Sequence, residues 1–237
     1  MNERHISVLQ ANLNHCAGAQ DLLLQSAAGW SVDLVVACEP YYVPTQERWV
    51  GDMCGSVVIV AANGASPPLS PLERGPGFVV VGWGPYTVVG LYFSSNRTLA
   101  EFEISLTLSA EPFAGTTKGA PWRWKNHLGD FNAKSQAWGS PTSDGRGRAV
   151  LVWATHLGLS LLNRGTAHTC VRAQGGYIVD LSFASPSVAD RVANWRVEDG
   201  VETLSDHNYV RFEVSTSPVA AMVPPQGPNR FPRWCLT

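Results

Sequence analysis

Short, unbroken apolar runs bounded by Gly, Pro and Asn recur along this chain, and they constrain its fold more than any other feature. Asp33–Ala37 reads Asp-Leu-Val-Val-Ala, and Ser56–Ala61, Gly77–Trp83 and Tyr86–Phe93 follow the same plan. A run that is apolar on successive residues, rather than on alternate ones, belongs to a strand buried on both faces. His5–Leu13, Leu159–Leu162, Tyr177–Phe183, Trp195–Val197 and Tyr209–Val214 read as further strands, with a short one over His127–Gly129 just before Asp130. Ala17–Ala28, Leu99–Leu108 and Gly147–Leu157 carry helical spacing. Strands buried on both faces need cover on both. The predicted architecture is therefore α/β, with two mixed sheets packed together and helices outside.

Of the 237 residues, 45% are hydrophobic, enough for a substantial core. The formal net charge of -2 carries no global signature of a nucleic-acid binder. The charge is uneven, however. Lys118–Arg148 holds six basic and two acidic residues, whereas residues 1–60 hold two basic and six acidic ones. A phosphate backbone attracts the first kind of surface and a metal ion the second, although ordinary surface variation also fits. Five cysteines, Cys16, Cys38, Cys54, Cys170 and Cys235, show no C-x-x-C spacing, which argues against a structural zinc and against a disulfide framework. A reducing compartment is expected. The N-terminus shows no secretion signal, and no apolar run is long enough to span a bilayer, so no membrane partner is expected.

Several polar residues sit where the predicted strands end. Gly129-Asp130-Phe131-Asn132 aims a carboxylate and an amide from one loop. Phosphodiester hydrolysis needs a carboxylate to position or deprotonate water, and neutral donors that hold phosphate oxygens without quenching it. An Asx-stabilised turn fits the same four residues. Ser205-Asp206-His207 offers a metal ligand and a phosphate partner just before the last strand. Glu39 follows the buried run Asp33–Ala37, where ionisation is costly unless a cation such as Mg²⁺ lies nearby; a solvent-facing Glu39 is the alternative. Asn12-Leu13-Asn14 ends another strand. Tyr92 lies within an apolar strand, where core packing also accounts for an aromatic. Asp180 is embedded in Tyr177–Phe183, where a His⁺ is its natural partner.

Each of these is ambiguous alone, but their order is not. Asn, Glu, Tyr, Asp-x-Asn, Asp and Ser-Asp-His in succession resemble the motif order of the exonuclease III/AP-endonuclease superfamily across residues 6–214. Ala133-Lys134-Ser135-Gln136-Ala137-Trp138-Gly139 after Asn132 narrows the likeness. So do Glu39-Pro40, Arg146-Gly147-Arg148, Leu161–Gly165 and Ser205–Tyr209. Together these resemble the endonuclease domains of non-LTR retrotransposons, especially arthropod elements that insert into ribosomal or telomeric repeats. His127-Leu128 before Gly129, Phe93-Ser94-Ser95-Asn96 after Tyr92, and Asn14 in place of an acid depart from the repair enzymes. Ile178-Val179-Asp180-Leu181 disfavours the inositol-polyphosphate phosphatases.

The resemblance implies a four-layered sandwich like AP endonucleases and deoxyribonuclease I, over residues 1–214, followed by a Pro-rich tail, 215–237, towards a reverse transcriptase. It implies a Mg²⁺-dependent endonuclease, with Mn²⁺ as a substitute, that nicks double-stranded DNA in the nucleus to leave a 3'-hydroxyl primer. The element's RNA and the reverse transcriptase of the same polyprotein are the implied partners. A repair AP endonuclease or exonuclease, and a catalytically silent DNA-binding module, are the alternatives. Glu39, Asn12 and Asp206 would hold the metal. Asp130 would orient or deprotonate water, Asn132 and Tyr92 would contact phosphate oxygens, and His207, held by Asp180, would hydrogen-bond the scissile phosphate. Arg172 and Gln174, on a hairpin expected to turn at Gln174-Gly175-Gly176, would reach a groove of the DNA. Lys134, Asn14, Asn96 and Ser205 complete the expected DNA-binding set.

Overall fold

The computed structural model describes residues 5–113 and 124–216. The first half of the chain folds as β1 (His5–Asn12), α1 (Ala17–Gly29), β2 (Leu34–Cys38), β3 (Trp49–Gly51), β4 (Val57–Ala61), β5 (Leu69–Gly75), β6 (Phe78–Trp83), β7 (Tyr86–Tyr92) and α2 (Leu99–Ala110). The second half adds β8 (Trp124–Asp130), α3 (Gly145–His156), β9 (Ser160–Leu161), β10 (Cys170–Arg172), β11 (Gly175–Tyr177), β12 (Asp180–Ala184), α4 (Pro186–Ala189), β13 (Val192–Glu198) and β14 (Tyr209–Ser215). One sheet runs β13-β14-β1-β2-β4-β3, and the other runs β5-β6-β7-β8-β12-β9. Both are mixed: β1 and β2 are parallel, as are β7 and β8, and the remaining pairs are antiparallel.

The unbroken apolar runs explain the layering. Successive side chains of a strand point to opposite faces. Val8 and Val36 therefore pack between the sheets with Ile59, Val79, Val81, Val88, Leu128 and Phe212. Their neighbours Leu9 and Val35 pack outward with Leu23 and Ala27 of α1. On the opposite outer face, Phe102 and Leu106 of α2 and Val150 and Trp153 of α3 cover Val80, Val89, Leu91, Phe131 and Phe183. The result is the expected helix–sheet–sheet–helix sandwich. Thr98 caps α2 through a reciprocal capping box with Glu101, and the Asp144 carboxylate caps α3 by accepting from the Gly147 N–H.

Four expectations need correction. The strand before Asp130 is regular and seven residues long, not a short His127–Gly129. His127 is fully buried there, packed edge-on against Phe113 and Trp153, so a polar-looking residue occupies a core position. Tyr177–Phe183 is not one strand. The chain breaks at Ile178-Val179, where Thr169 Oγ1 accepts from the N–H groups of both Val179 and Asp180, so Asp180 opens β12 instead of lying inside it. The β10–β11 hairpin pairs Arg172 with Gly175, which puts its turn at Ala173-Gln174, not at Gln174-Gly175-Gly176. β3 and β5 are additional strands. β3 has too few residues to show a period. β5 is an edge strand whose middle residues are exposed and which bulges beside Pro71, so it lacks an apolar run. The Pro-rich segment from residue 217 lies outside the described residues.

Candidate active site

The two parallel pairs deliver their C-terminal ends to one edge of the sandwich. Asn12 ends β1, Glu39 follows β2, Tyr92 ends β7 and Asp130 ends β8. The antiparallel neighbours deliver their N-terminal ends to the same place, with Asp180 opening β12 and His207 just before β14. In register, Asp130 lies beside Tyr92 on one side and Asp180 on the other. Gly129 is required for this approach, because a Cβ there would stand 1.7 Å from the Leu91 carbonyl oxygen.

Asp130 is the hub. Its Oδ1 accepts from the Asn132 N–H at 2.9 Å, and its Oδ2 accepts from the amides of Asn132 at 2.9 Å and Asn12 at 3.0 Å. The Asx turn and the amide–carboxylate pair are thus one structure. Asn132, at φ 45°, also donates to the Phe93 carbonyl. Burial, and then the Asp180 carboxylate, push the Asp130 carboxyl up to about 7, against the pull of His207. Beside it, His207 Nδ1 and Asp180 Oδ2 lie 2.8 Å apart, and both side chains are buried. Burial alone would lower the His207 pKa, but Asp180 reverses that and holds the imidazole protonated, pushed up to about 12.

Glu39 faces this group from the first sheet. It sits at φ 47°, a left-handed conformation that strains a residue with a side chain and is retained when the surroundings enforce it. Its Oε1 accepts from the Tyr92 hydroxyl at 2.5 Å and lies 3.5 Å from His15 Nε2. Burial, and then this bond to Glu39, raise the Tyr92 phenol above its usual range. Asn12 is divided between its Nδ2 bond to Asp130 and its Oδ1, which accepts from the Asn14 N–H.

Asp206 is turned another way. Its Oδ2 pairs with Arg172 Nε at 2.5 Å, while its Oδ1 is buried without a hydrogen-bond partner, 3.9 Å from His207 Nε2. Arg172, expected to be free for DNA, is tied to Asp206 through this nitrogen. Ser205 is structural in its contacts, since its hydroxyl donates to the Asn12 carbonyl. Gln174 and Lys134 line a cleft of about 300 Å³ with Ser95, Asn132, Tyr177 and Val179, and Lys134 Nζ stands 4.3 Å above the Tyr177 ring. Asn14 and Asn96 are exposed on flanking loops.

Four residues contribute in ways that no local sequence pattern reveals. Arg146 donates to the carbonyls of Ser94, Ser95, Arg97 and Asn132, and so staples the loop after β7 to the loop after β8. The Arg146-Gly147-Arg148 motif does not show this role in sequence. Gly147 is needed beside it, because a Cβ there would stand 1.9 Å from the Lys134 carbonyl oxygen. Thr169 fixes the start of β12, and Cys170 places a buried thiol beside Asp206 and His207. Nothing local in sequence marks either residue.

The donors Glu39, Asn12 and Asp206 are oxygen ligands, and the orphaned Asp206 Oδ1 is a buried acceptor awaiting a partner. A hard divalent cation fits this chemistry. No helix among the described residues is long and apolar enough to cross a membrane.

Comparison with known proteins agrees with this geometry. The family model for the endonuclease-reverse transcriptase domain matches residues 127–211, which contain Asp130, Asn132, Asp180, Asp206 and His207. No curated protein gives a significant match. Among solved structures, the endonuclease domain of TRAS1, a telomere-specific non-LTR retrotransposon, is similar at 27% identity, covering 90% of this chain and 99% of that one, with a TM-score of 0.72. The AP endonuclease of Leishmania major shares the fold at 11% identity, 90% and 89% coverage and a TM-score of 0.71. The 3'-5' exonuclease of Neisseria meningitidis does so at 16% identity, 89% and 100% coverage and a TM-score of 0.66. With its two packed mixed sheets and its strand-end cluster of acid, amide and imidazole, the chain has the AP-endonuclease fold and is similar to the endonuclease domain of a non-LTR retrotransposon.

Proposed function

We propose that this domain is a Mg²⁺-dependent endodeoxyribonuclease that nicks double-stranded target DNA in the nucleus. The 3'-hydroxyl left behind would prime copying of the element's RNA by a reverse transcriptase of the same polyprotein. The observation that carries the reading is the Asp180–His207 pair lying against Asp130 at the crevice where both sheets end. Asp130, with a carboxyl near neutrality, accepts the proton of the attacking water. Water adds to phosphorus, the bond from phosphorus to the 3'-oxygen breaks, and the departing 3'-oxygen takes up a proton from solvent to become the hydroxyl. Protonated His207, which Asp180 keeps charged and oriented, donates to a non-bridging oxygen of the scissile phosphate. Asn132 and Tyr92 are neutral donors to the same phosphate. Glu39, Asn12 and Asp206 would hold the cation, whose charge would stabilise the negative phosphate and leaving oxygen. Lys134 and Gln174 line the adjoining DNA cleft.

The test is nicking of supercoiled plasmid by the wild-type domain with Mg²⁺, with Mn²⁺ and with excess EDTA, followed by primer extension from the nick. Nicking that depends on the metal and leaves extendable ends is expected. Activity that survives full chelation, or ends that a polymerase cannot extend, would refute the reading. Parallel cleavage of intact and abasic duplexes separates it from a repair activity, which would cut the abasic duplex preferentially.

A further inference from the structure

Next to the catalytic cluster stands a second group of ligand atoms with different chemistry. Cys170 Sγ, an Asp206 oxygen and a His207 ring nitrogen all lie within 4.8 Å of one another. Cys170 is held there by a bridge between β10 and the segment before β14, in which it pairs with His207. The thiol is buried and unoxidised, and it lies 3.8 Å from Asp206 Oδ2. One atom of the group is uncommitted: Asp206 Oδ1 is buried without a hydrogen-bond partner, and His207 Nε2, 3.9 Å away, is the ring nitrogen that Asp180 does not occupy, on an imidazole that also interacts with the Cys170 thiol.

A thiolate, an imidazole and a carboxylate suit Zn²⁺ and its soft relatives rather than Mg²⁺. Tetrahedral coordination with three protein ligands and one open position is the ordinary form of such sites. The remaining requirement is an outer carboxylate that orients the histidine through its other nitrogen, and Asp180 does this at 2.8 Å. Cys170, Asp206 and His207 are thus arranged as a soft-metal site that shares His207 with the group proposed to contact the scissile phosphate.

We propose that Cys170, Asp206 and His207 form an inhibitory site for Zn²⁺ or a similarly soft divalent cation. Loading displaces the Cys170 thiol proton and the Nε2 proton of His207 to solvent and forms one metal–sulfur, one metal–nitrogen and one metal–oxygen bond. His207 then has no proton to offer the phosphate, and Asp206 is drawn to the soft ion. The binding claim stands on the geometry alone, whereas the inhibition claim rests on the nuclease reading above.

The experiment treats the two claims separately, on the intact domain. Binding is read with Co²⁺ as an optical probe, through its thiolate charge-transfer absorption, and with Zn²⁺ through thermal shift. Inhibition is read as the Zn²⁺ concentration that halves nicking at saturating Mg²⁺. Wild type, Cys170→Ser and Cys170→Ala are compared, with Cys54→Ser as a control for an exposed thiol. Expected are a Co²⁺–thiolate band in wild type and in the control that both Cys170 variants lack, and a half-inhibiting Zn²⁺ concentration raised about tenfold or more in those variants. The half-inhibiting Zn²⁺ concentration is read relative to each variant's own nicking without Zn²⁺. A band of equal strength in wild type and Cys170→Ser overturns the site. An intact band difference with equal Zn²⁺ sensitivity overturns the inhibitory role. A domain that never nicks defeats the nuclease reading and leaves the binding result to decide the site.

Discussion

The residue proposed to activate water is also a stability defect of the fold, and Asp130→Asn exposes it. Asp130 is buried, and its carboxyl titrates near 7 instead of the ordinary 3.8. Between those values the folded protein keeps a proton that the unfolded chain has lost. Stability therefore falls as pH rises through this window and stays low above it. The full penalty is about 4 kcal/mol at about pH 8. Asparagine does not titrate and escapes it. The loss on the other side is local. Asp130 accepts three hydrogen bonds, and an amide oxygen can serve the Asn12 and Asn132 side chains or the Asn132 N–H, but not all three. One unmet donor costs about 1–3 kcal/mol. The net gain is about 2 kcal/mol at about pH 8, or roughly 4–8 °C in melting temperature for a chain of this length, and close to nothing at about pH 5. Calorimetric melts in EDTA across this range measure it, so that no metal contributes. Nicking should fall about 10²-fold or more in the same variant. Parallel melting curves for wild type and Asp130→Asn across the range would falsify the reasoning, as would a variant that still nicks.

Arg146→Met removes the donors that join the two loops, so nicking should drop while the concentration of Mg²⁺ needed for half-activity stays fixed. Melting should show a loss of about 1–3 kcal/mol, and an unchanged turnover would remove Arg146 from loop positioning. His127, with its pKa lowered to about 3 by burial and then by Lys125, and with neither ring nitrogen hydrogen-bonded among the described residues, cannot take up the proton that the unfolded chain binds below 6.5. Stability must fall as pH drops through that window, so His127→Leu should melt higher than wild type by a margin that grows from neutral pH to about pH 5, where a constant margin refutes the account. Replacing the turn Ala173-Gln174 by Gly-Ser, which leaves the Arg172–Asp206 pair in place, should blur the pattern of nicks on an end-labelled duplex more than it lowers total cleavage. A sharp, unmoved pattern would take the hairpin out of target selection.

The residues legible in the sequence share one property: each ends or begins a strand, and a short motif marks it. Asp130 and Asn132 are two positions apart and bond to each other, so Gly129-Asp130-Phe131-Asn132 contains its own geometry. Glu39 follows an apolar run long enough to identify as a buried strand. What escaped depends on pairs distant along the chain. Asp206 and Arg172 are 34 residues apart, and nothing near either one says that the carboxylate expected to turn towards a metal and the guanidinium expected to reach DNA are committed to each other. The same distance hides Cys170, which becomes interesting only because the bridge to His207 brings β10 against the segment before β14. Boundaries failed where polarity and burial disagree. A buried histidine made β8 look short, and a threonine hydroxyl holding two backbone N–H groups broke an apolar stretch that read as continuous. These are positions where a side chain, not the periodicity, satisfies the backbone or fills the core. Two of the misread stretches, Tyr177–Phe183 and the Cys170–Tyr177 hairpin, converge on the residues around His207. An edge made of several strand ends has few ladder hydrogen bonds of its own, so side chains such as Thr169, Arg146 and Asp180 must supply the missing order, and in this chain they do so beside the groups proposed to cut DNA.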